Sequence, residues 1–423
     1  MKIMVVGGGG REHAIIRKLK ENKEVSIIYA LPGNGGIAAD AVCVPISATD
    51  ITGMVDFAVS RRVDFAVVAP DDPLVLGAVD LLQQAGIPCF GPTADAALIE
   101  GSKVFAKNLM KQYGIPTADY RTFDSLPQAL TYLESAPFPL VVKADGLALG
   151  KGVIIAHTKA EAAAALRAMM ADKVFGESGA RVVVEEYLEG PEVSVLAFTD
   201  GQTIRPMVSA MDHKRALECD EGPNTGGMGA VAPNPYYTPE VAERCMKEIF
   251  LPTVAAMKKE GRTFKGCLYF GLMLTKDGPR VIEYNCRFGD PEAQVVLPLL
   301  ESDLFTVMQA VAHGNLAEVE VTFSEKSACC VVLASRGYPQ RYETGFEVVL
   351  PQEKAPGVDI FTAGTKLSEG RLVSAGGRVL SVTATADTLA AAIERAYEAV
   401  GTIRFENGYC RRDIGRRALL AGK

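Results

Sequence analysis

The chain has 423 residues, of which 48% are hydrophobic, and a formal net charge of −7 at pH 7. This length exceeds one ordinary domain and predicts roughly two to four domains with sizeable cores. The mildly acidic balance gives no support to a polyanionic partner such as nucleic acid.

The nine cysteines are scattered, without C-x-x-C pairs or metal-like spacing, which favours reduced cytosolic thiols over a disulfide framework. The opening stretch MKIMVVGGGG enters a strand directly and lacks the apolar core and cleavage site of a signal peptide. No apolar run approaches the length that a transmembrane helix needs. We therefore expect a cytoplasmic protein without a membrane partner.

The chain starts with a buried-type strand at residues 2–6, four glycines at 7–10 and a helix at 11–20. A strand, a glycine loop and a helix in this order can bind phosphate through backbone N–H groups at the helix N-terminus. The dinucleotide fingerprint G-x-G-x-x-G is not matched, because it requires glycine where Glu12 stands. The motif leaves phosphate binding and a simple tight turn as equal alternatives.

Further strands are predicted at residues 25–30, 65–69 and 88–90, with the loops PGNGG and PDDP after the first two. Alternating strands and helices predict a doubly wound parallel α/β domain with ligand loops at the strand ends. The turn GPT at 91–93 marks its boundary, and we assign residues 1–100 to this domain.

A glycine-rich string, ADGLALGKGVII, follows between two predicted strands. It is not a P-loop, because Gly146 and Gly150 are one residue too close and Gly152 replaces the Ser or Thr that would hold Mg²⁺. We interpret it as a flexible hairpin that can fold over phosphates, with an exposed turn lysine as the alternative for Lys151. The neighbouring predicted helices and strands are 94–99, 103–113, 139–143, 153–156, 160–170 and 181–187.

Two polar motifs come next, MDHKRA at residues 211–216 and GPNTGGMG at 222–229. Asn-Thr-Gly-Gly offers unhindered backbone N–H groups and a hydroxyl, which is the composition of an anion-binding nest. A plain glycine-rich surface loop is the alternative, against which the preceding Lys214 and Arg215 weigh. We interpret His213 as structural, since a single histidine without a partner motif indicates little.

The segment RVIEYNCRFGDPEAQ at residues 280–294 combines a short strand with an unusual loop. Because side chains alternate along a strand, Glu283, Asn285 and Arg287 share one face. A carboxylate and an amide oxygen suit Mg²⁺, and an arginine suits recognition of phosphate or carboxylate. Solvated charges at a hairpin edge are the alternative. The flanking predictions are a helix at 239–260 and a hairpin of strands at 266–274 and 279–284.

From residue 328 onward, short β runs alternate with polar turns, which predicts a small β-rich C-terminal domain at residues 328–423. Its strands are predicted at 328–334, 345–349, 358–362, 372–375 and 378–385, and a helix at 388–400. No catalytic constellation is recognisable in this part of the sequence.

The string RFGDPE at residues 287–292 resembles the signature of the phosphoribosylamine–glycine ligase family, within the ATP-grasp superfamily. The resemblance covers nearly the whole chain and includes GSK at 101–103 and the glycine-rich hairpin. It implies an α/β multidomain fold in which the N-terminal doubly wound domain holds phosphoribosylamine. Central ATP-grasp α+β domains would span 101–327, with a glycine-rich lid at about 120–188, before the small β-rich C-terminal domain.

By resemblance, the chain is expected to ligate glycine to 5-phospho-β-D-ribosylamine through glycyl phosphate, with ATP and Mg²⁺ (or Mn²⁺) as cofactors. Another ATP-grasp carboxylate–amine ligase is the alternative. A dinucleotide-dependent oxidoreductase is disfavoured by Glu12. A non-catalytic ATP-binding module is disfavoured because the chain has the full set of Lys103, Lys143, Glu283, Asn285 and Arg287. The expected partners are the two small-molecule substrates. The sequence leaves the oligomeric state open, a monomer being one option.

The resemblance also implies roles for individual residues. Lys214, Arg287 and Asp290 would be catalytic, and Glu283 and Asn285 would bind metal. ATP would be bound by Lys103, Lys143, Lys151, Glu185, Glu186, Leu188 and Glu192. The substrates would be bound by Gly8, Gly9, Gly10, Asn34, Asp71, Asp212, Thr225, Gly226 and Gly227. One departure concerns Asp71, because the family usually has Gly-Pro-Glu where this chain has Ala-Pro-Asp, so the carboxylate is one methylene shorter.

Overall fold

The computed structural model describes residues 1–147 and 152–421. The N-terminal region is a five-stranded parallel sheet in the order β3-β2-β1-β4-β5. Its strands are β1 (Lys2–Gly7), β2 (Ile27–Pro32), β3 (Val42–Cys43), β4 (Phe65–Val68) and β5 (Cys89–Phe90). Its helices are α1 (Gly10–Leu19), α2 (Ile51–Arg61), α3 (Asp71–Val75), α4 (Ala78–Gln84) and α5 (Ala94–Gly101). The strand order reverses between β1 and β4, which is where open parallel sheets collect their ligand loops.

The next region is a four-stranded antiparallel sheet, which we call the lid sheet, in the order β6-β9-β7-β8. Helices of this region pack on it around a separate apolar core that includes Val142 and Leu166. The elements are α6 (Lys103–Tyr113), β6 (Tyr120–Phe123), α7 (Leu126–Tyr132), β7 (Leu140–Ala144), β8 (Val153–Ala156), α8 (Lys159–Met170) and β9 (Val182–Glu186).

A second four-stranded antiparallel sheet, in the order β11-β10-β16-β17, carries the segment that resembles the family signature. Four short strands, β12 to β15, lie in sequence between β11 and β16. The strands are β10 (Glu192–Thr199), β11 (Ile204–Pro206), β12 (Met211–Asp212), β13 (Arg215–Leu217), β14 (Glu221–Asn224), β15 (Gly229–Ala232), β16 (Gly266–Thr275) and β17 (Gly278–Asn285). The helices are α9 (Pro239–Cys245) and α10 (Leu251–Lys259), joined by a π-helical turn at Met246–Phe250.

The C-terminal sheet has the order β12-β15-β18-β22-β19, with β23 also paired to β18. Because β12 and β15 belong to it, the MDHKRA and NTGG motifs are anchored on a sheet that is otherwise C-terminal. The remaining strands are β18 (Ser327–Ser335), β19 (Val358–Thr362), β20 (Thr365–Ser368), β21 (Arg371–Ser374), β22 (Arg378–Ala386) and β23 (Gly408–Tyr409). The helices are α11 (Ala293–Val296), α12 (Leu304–His313), α13 (Leu389–Val400) and α14 (Arg416–Leu420).

The predicted α/β multidomain class is confirmed, and several elements, such as α6, β8 and β19, have the predicted bounds. The strand predicted at residues 345–349 is wrong. Glu347 pairs with Val373 and Val349 pairs with Arg404 as isolated bridges, so two different neighbours share this segment and no continuous ladder forms. Of the helices that the structure describes, none is long and apolar enough to cross a membrane.

Candidate active site

The end of β17 is where the regions of the chain meet. Lys143, on β7 of the lid sheet, donates a 3.0 Å hydrogen bond to the main-chain oxygen of Ile282 on β17. The loop after β1 approaches from the N-terminal sheet, since an ideal Cβ on Gly9 would lie 3.3 Å from Asp290 Oδ2. A Cβ on Gly10 would lie 2.6 Å from Gln294 Nε2. The glycine loop (residues 7–10) and the loop after β17 that contains RFGDPE (residues 287–292), which we call the signature loop, are therefore in contact.

Glu283 and Asn285 have the chemistry of a magnesium site. The ammonium group of Lys214 is the main cause that lowers the pKa of Glu283 to about 2, so the carboxylate is ionised at neutral pH. Asn285 Oδ1 accepts a 3.1 Å hydrogen bond from Arg287 Nη2, which orients the amide oxygen. Among the described residues, no group of three or more His, Cys, Asp or Glu side chains could hold a metal. The donor set fits Mg²⁺, which takes one or two protein oxygens together with substrate phosphates.

Lys214 lies between two carboxylates, with its Nζ 3.4 Å from Glu283 and 3.5 Å from Glu192. Burial lowers the pKa of Lys214, but these two carboxylates outweigh burial and raise it well above its ordinary value. Thr225 donates to the main-chain oxygen of Lys214 from both its N–H and its hydroxyl, each at 2.8 Å. The NTGG motif therefore fixes the backbone that carries this permanently charged lysine.

A buried carboxylate holds two lysines where α6 meets the lid sheet. Glu185, on β9, is 4% exposed and lies 3.0 Å from Lys107 Nζ and 3.1 Å from Lys143 Nζ. Its other oxygen, Oε1, is buried without a hydrogen-bond partner among the described residues. Burial lowers the pKa of Lys107 to about 8, although Glu185 opposes this. The site thus has one acceptor to spare for a ligand N–H group.

The start of α6 is tied to the hairpin of the lid sheet. Lys103 Nζ donates to the main-chain oxygen of Gly146 at 2.9 Å, and burial lowers the pKa of this lysine. Asp145 accepts hydrogen bonds from Ser102 Oγ at 2.9 Å and from Arg181 at 2.6 Å. Hydrogen bonds therefore connect the G-S-K segment to the lid sheet.

The remaining predicted nucleotide residues lie along the chain that leaves β9. Glu186 is exposed and lies 3.4 Å from Arg280 Nη1. Leu188 is half-buried in the connection to β10, which Glu192 begins. Lys151 lies outside the described residues, so its predicted contact with phosphate is not addressed by the structure.

Arg287 is held by a residue that the sequence did not single out. Its Nη2 lies 2.9 Å from Glu100 Oε1, and its buried Nε has no hydrogen-bond partner among the described residues. Burial lowers the pKa of Arg287, but the negative charges of Glu100 and Asp71 outweigh it and raise this pKa. Asp71, the first residue of α3, is therefore close enough to act on the guanidinium.

Arg378, on β22, binds the signature loop to the NTGG loop. Its Nη1 donates to the main-chain oxygens of Asp290 at 2.7 Å and of Gly226 at 2.8 Å. Burial raises the pKa of Asp290, but the positive charges of Arg378 and Arg11 and the hydrogen bond from Gln294 together outweigh it, so the net effect is a lowered pKa. At Gly227, where φ is +117°, a Cβ would collide with Pro291 and approach Asp212 Oδ1 to 2.8 Å. Only glycine fits where these loops touch.

The backbone groups predicted to bind an anion already have acceptors in the protein. Gly226 N–H donates to the hydroxyl of Tyr338 at 3.1 Å, and Gly227 N–H donates to Thr225 Oγ1 at 2.9 Å. Asp212 differs, because its Oδ1 is buried without a partner among the described residues. Burial, together with the charge of Glu292, raises the pKa of Asp212 well above its ordinary value. Asp212 is thus the member of this group that has a free polar atom.

Asn34 shapes the PGNGG loop. Its Nδ2 donates to the main-chain oxygens of Gly8 at 2.9 Å and Thr362 at 2.8 Å, and its Oδ1 accepts from two backbone N–H groups. Its predicted contact with substrate stays a prediction, since the side chain is already engaged. His213 agrees with the structural role predicted, because burial lowers its pKa to about 4 and its Nε2 accepts a 3.1 Å hydrogen bond from Gly415 N–H.

Sequence reasoning missed Glu100, Lys107, Asp145 and Arg378. Glu100 directly precedes the G-S-K segment, and this adjacency was the one available signal. Arg378 stands alone in a β-rich stretch, and its contact with Asp290 joins residues 88 positions apart. Such long-range pairs carry no local pattern.

Comparison with known proteins gives matches along most of the chain. Three family models match, described as the N domain, the ATP-grasp (A) domain and the C domain of phosphoribosylglycinamide synthetase, at residues 1–100, 101–293 and 328–417. The phosphoribosylamine–glycine ligase of Caldanaerobacter subterraneus subsp. tengcongensis is 47% identical over 98% of this chain and 99% of its own. The trifunctional purine biosynthetic protein adenosine-3 of Bos taurus is 48% identical over 99% of this chain and 42% of its own length.

Solved structures agree with these matches. The phosphoribosylamine–glycine ligase of Thermotoga maritima has a TM-score of 0.87 and 33% identity, covering 98% of this chain and 100% of that chain. The biotin carboxylase domain of the Hydrogenobacter thermophilus 2-oxoglutarate carboxylase has a TM-score of 0.76 and 16% identity, covering 100% and 94%. The latter likeness concerns the fold alone.

Proposed function

Since the chain belongs to the phosphoribosylglycinamide synthetase family, we propose that it joins glycine to 5-phospho-β-D-ribosylamine at the end of β17, driven by ATP. The products are N1-(5-phospho-β-D-ribosyl)glycinamide, ADP and phosphate, in purine biosynthesis. The observation that carries the proposal is the convergence on one strand end of Glu283, Asn285, Lys214 and Arg287. This set combines oxygen ligands for a cation with two fixed positive charges.

The nucleotide side is assigned to the lid sheet and the start of α6. Lys103 and Lys143 supply positive charge for phosphates, and the unpartnered Glu185 Oε1 can accept from the exocyclic amine of adenine. Glu283 and Asn285 would hold Mg²⁺, which supplies charge neutralisation beside the transferred phosphate. Their suitability rests on the ionised state of Glu283 and on the orientation of the Asn285 amide.

The reaction has two steps. The glycine carboxylate attacks the γ-phosphate of ATP, which breaks the bond to ADP and forms glycyl phosphate. The ribosylamine nitrogen then attacks the glycyl carbonyl and expels phosphate, losing a proton as the amide forms. Negative charge accumulates in both steps, and the positive charges of Arg287 and Lys214 would stabilise it. Because an acyl phosphate is labile in water, the lid would have to exclude solvent.

The ribosylamine is assigned to the N-terminal sheet, where the loop of Gly8, Gly9 and Gly10 reaches the signature loop. This loop precedes α1, so it lies at a helix N-terminus, which favours a phosphate. The N–H of Gly9 already donates to Glu12 Oε2 at 2.6 Å, so Glu12 would have to release this N–H before a phosphate could accept from it. Strand β4 is the neighbour of β1, and Asp71 lies shortly after its end, at the start of α3. The negative charge of Asp71 acts on Arg287 and contributes to raising its pKa. The two substrates would therefore meet at Arg287 and Asp290.

The test is ADP release from purified protein with ATP and Mg²⁺, with glycine and ribosylamine added separately and together. We expect rapid release only when both are present, with one ADP formed per glycinamide ribonucleotide. Replacing glycine by alanine, and ribosylamine by aminoimidazole ribonucleotide, distinguishes other carboxylate–amine ligases of the same fold. Turnover with either replacement, and none with the proposed pair, would overturn the substrate assignment.

A further inference from the structure

Glu100 is a buried carboxylate that touches the signature segment. It lies near the end of α5 and is 8% exposed. One oxygen, Oε1, lies 2.9 Å from Arg287 Nη2, and the other, Oε2, accepts a 2.7 Å hydrogen bond from the backbone N–H of Cys286. The carboxylate therefore holds both the arginine side chain and the backbone next to it.

The contact leaves a particular part of Arg287 available. Nη2 is shared between Glu100 and Asn285, and Nη1 donates to the main-chain oxygen of Phe288 at 3.3 Å. The buried Nε has no hydrogen-bond partner among residues 1–147 and 152–421. An N–H donor left buried without an acceptor is unfavourable unless a ligand supplies the acceptor. The two terminal nitrogens of the guanidinium are thus held by protein acceptors, whereas the Nε–H group has no acceptor among the described residues.

Glu100 also connects three parts of the site. It is followed in sequence by the segment containing Lys103, whose Nζ reaches the lid at Gly146. Helix α5 packs against α3, which begins at Asp71, and against β17, which ends at Asn285. A shift of α5 would therefore move Arg287, strand β17 and the segment containing Lys103 together.

We propose that Glu100 is a positioning residue that sets the orientation of Arg287, and with it the amide of Asn285, for the phosphoryl-transfer and ligation steps. This inference rests on the role proposed above for Arg287. A carboxylate can accept from Arg287 Nη2 and from Cys286 N–H at once, which ties the guanidinium to the backbone next to it. Glutamine at this position retains the size and one acceptor oxygen but loses the charge and the second acceptor. Aspartate retains the charge but is one methylene too short to reach both donors.

The experiment compares Glu100→Gln, Glu100→Asp, Arg287→Ala and the double variant Glu100→Gln/Arg287→Ala with the full-length parent chain. The readouts are kcat, the KM for each substrate and the midpoint of thermal unfolding. The matched control is Asp200→Asn, since Asp200 is a carboxylate 3% exposed that accepts from backbone N–H groups outside this site.

We expect Glu100→Gln to lower kcat about tenfold to a hundredfold with the KM for ATP within about twofold, and Glu100→Asp to retain part of the rate. The double variant should be no slower than Arg287→Ala, because a residue that acts through another loses its effect when that residue is gone. Asp200→Asn should lower the unfolding midpoint and leave kcat unchanged. If Glu100→Gln does not fold, the Asp variant is used in the same cycle.

Three outcomes would count against the proposal. Unchanged kcat in both Glu100 variants, with Arg287→Ala impaired, removes the positioning role and leaves the function of Arg287 intact. Additive losses in the double variant show that Glu100 acts by another route. A kcat loss in Asp200→Asn equal to that in Glu100→Gln assigns the effect to general destabilisation. Wild-type turnover by Arg287→Ala is a separate case, since it overturns the role proposed for the arginine and with it this inference.

Discussion

The ammonium group of Lys214 lies 3.4 Å from the carboxylate of Glu283, joining the MDHKRA motif to β17. Lys214 is the main reason that the pKa of Glu283 is lowered to about 2. A carboxyl with a lowered pKa contributes stability above its ordinary pKa of 4.5 and loses it as the pH falls from there towards 2. Metal binding through Glu283 should therefore not weaken by protonation of this group between about pH 5 and 8.

The first prediction concerns this carboxylate. Glu283→Gln preserves the shape of the side chain but removes the charge, so we expect transition-state stabilisation to fall by about 2 to 4 kcal/mol. The measurement is kcat/KM for ATP across a Mg²⁺ titration. Glu248→Gln is the matched control, because Glu248 is a surface carboxylate paired with Arg244 on the neighbouring turn of the α9–π–α10 segment. Near-wild-type turnover of Glu283→Gln at low Mg²⁺ would exclude the metal role.

The second prediction concerns the glycine loop. The φ of Gly9 is −91°, so a side chain there meets no backbone strain, but its Cβ would lie 2.7 Å from Glu12 Oε2. Gly9→Val should raise the KM for ribosylamine strongly and leave the KM for ATP unchanged, and Gly9→Ala should have a smaller effect. Steady-state kinetics with each substrate varied in turn will measure this. A fall in ATP affinity with ribosylamine affinity unchanged would mean that the two sites have been exchanged.

The third prediction concerns Lys151, which lies outside the described residues. This prediction rests on the resemblance of the glycine-rich hairpin to that of the ATP-grasp superfamily. Lys151→Ala should slow ligation and allow water to reach glycyl phosphate, because the resemblance implies that this charge acts on the phosphates and the variant lacks it. The measurement is ADP formed per glycinamide ribonucleotide, with both substrates saturating. We expect a ratio near one for the parent and clearly more for the variant.

The matched control for that measurement is Lys159→Ala, in which the lost lysine is exposed on α8 and pairs with Glu134 at the surface of the same region. It should change neither the rate nor the ratio. A slowed Lys151→Ala that stays tightly coupled would leave the lysine as a binding residue without a shielding role.

Local sequence patterns predicted helices and strands well where the pattern of apolar residues was clear. The apolar runs of β1 and β4 are buried on both faces, as parallel strands are, and so stood out from the sequence. The pairing of β15 with β18, which brings β12 into the C-terminal sheet, was not predictable, because it joins segments about a hundred residues apart. The segment at 345–349 failed for a related reason, since β propensity does not reveal whether one partner strand is available.

The candidate site shows the same limit. Glu283 and Asn285 were predictable as neighbours because strand alternation places them on one face of β17, and Arg287 lies two residues beyond the end of that strand. Glu100 and Arg287 are 187 positions apart, and their contact depends on how α5 packs on β17. A residue such as Glu100, which orients another side chain, belongs to no sequence motif, so it is identified only from the packing of the folded chain.

The fourth prediction concerns pH and His213. Burial lowers its pKa to about 4 from an ordinary 6.5, so the folded protein resists a proton that the unfolded chain accepts. Its contribution to stability is therefore full above about pH 6.5 and lost as the pH falls towards 4, by on the order of 3 kcal/mol. His213→Gln should make the unfolding free energy less dependent on pH across this window. Denaturant unfolding at a series of pH values measures it.

The matched control is His157→Gln, because His157 is exposed on the lid sheet. Its pH profile should overlay that of the parent. Burial also lowers the pKa of His13, so some dependence should persist in His213→Gln. A His213→Gln profile as steep as that of the parent would assign the slope to other groups.

The last prediction concerns Arg378, which donates to the main-chain oxygens of Asp290, Gly226 and Gly227. Arg378→Met leaves these oxygens without that donor, and leaving the partly buried oxygens of Asp290 and Gly227 unpaired costs about 1 to 3 kcal/mol. Arg378→Lys retains the charge but loses the planar fork, so it should recover only part of the function. Because the two loops would lose their link, we expect kcat/KM to fall at least about tenfold in Arg378→Met, with Arg378→Lys between it and the parent.

The control for Arg378 is Arg371→Met, since Arg371 is exposed on the β20–β21 hairpin and pairs there with Glu369. This variant should keep parental kinetics and a parental unfolding midpoint. The measurements are kcat/KM for glycine and for ribosylamine, together with thermal unfolding. If Arg378→Met unfolds earlier but keeps parental kcat/KM at low temperature, the arginine stabilises the domain contact only. If both Arg378 variants lose kcat/KM while their unfolding midpoints stay within a few degrees of the parent, the link between the signature loop and the NTGG loop is required for catalysis.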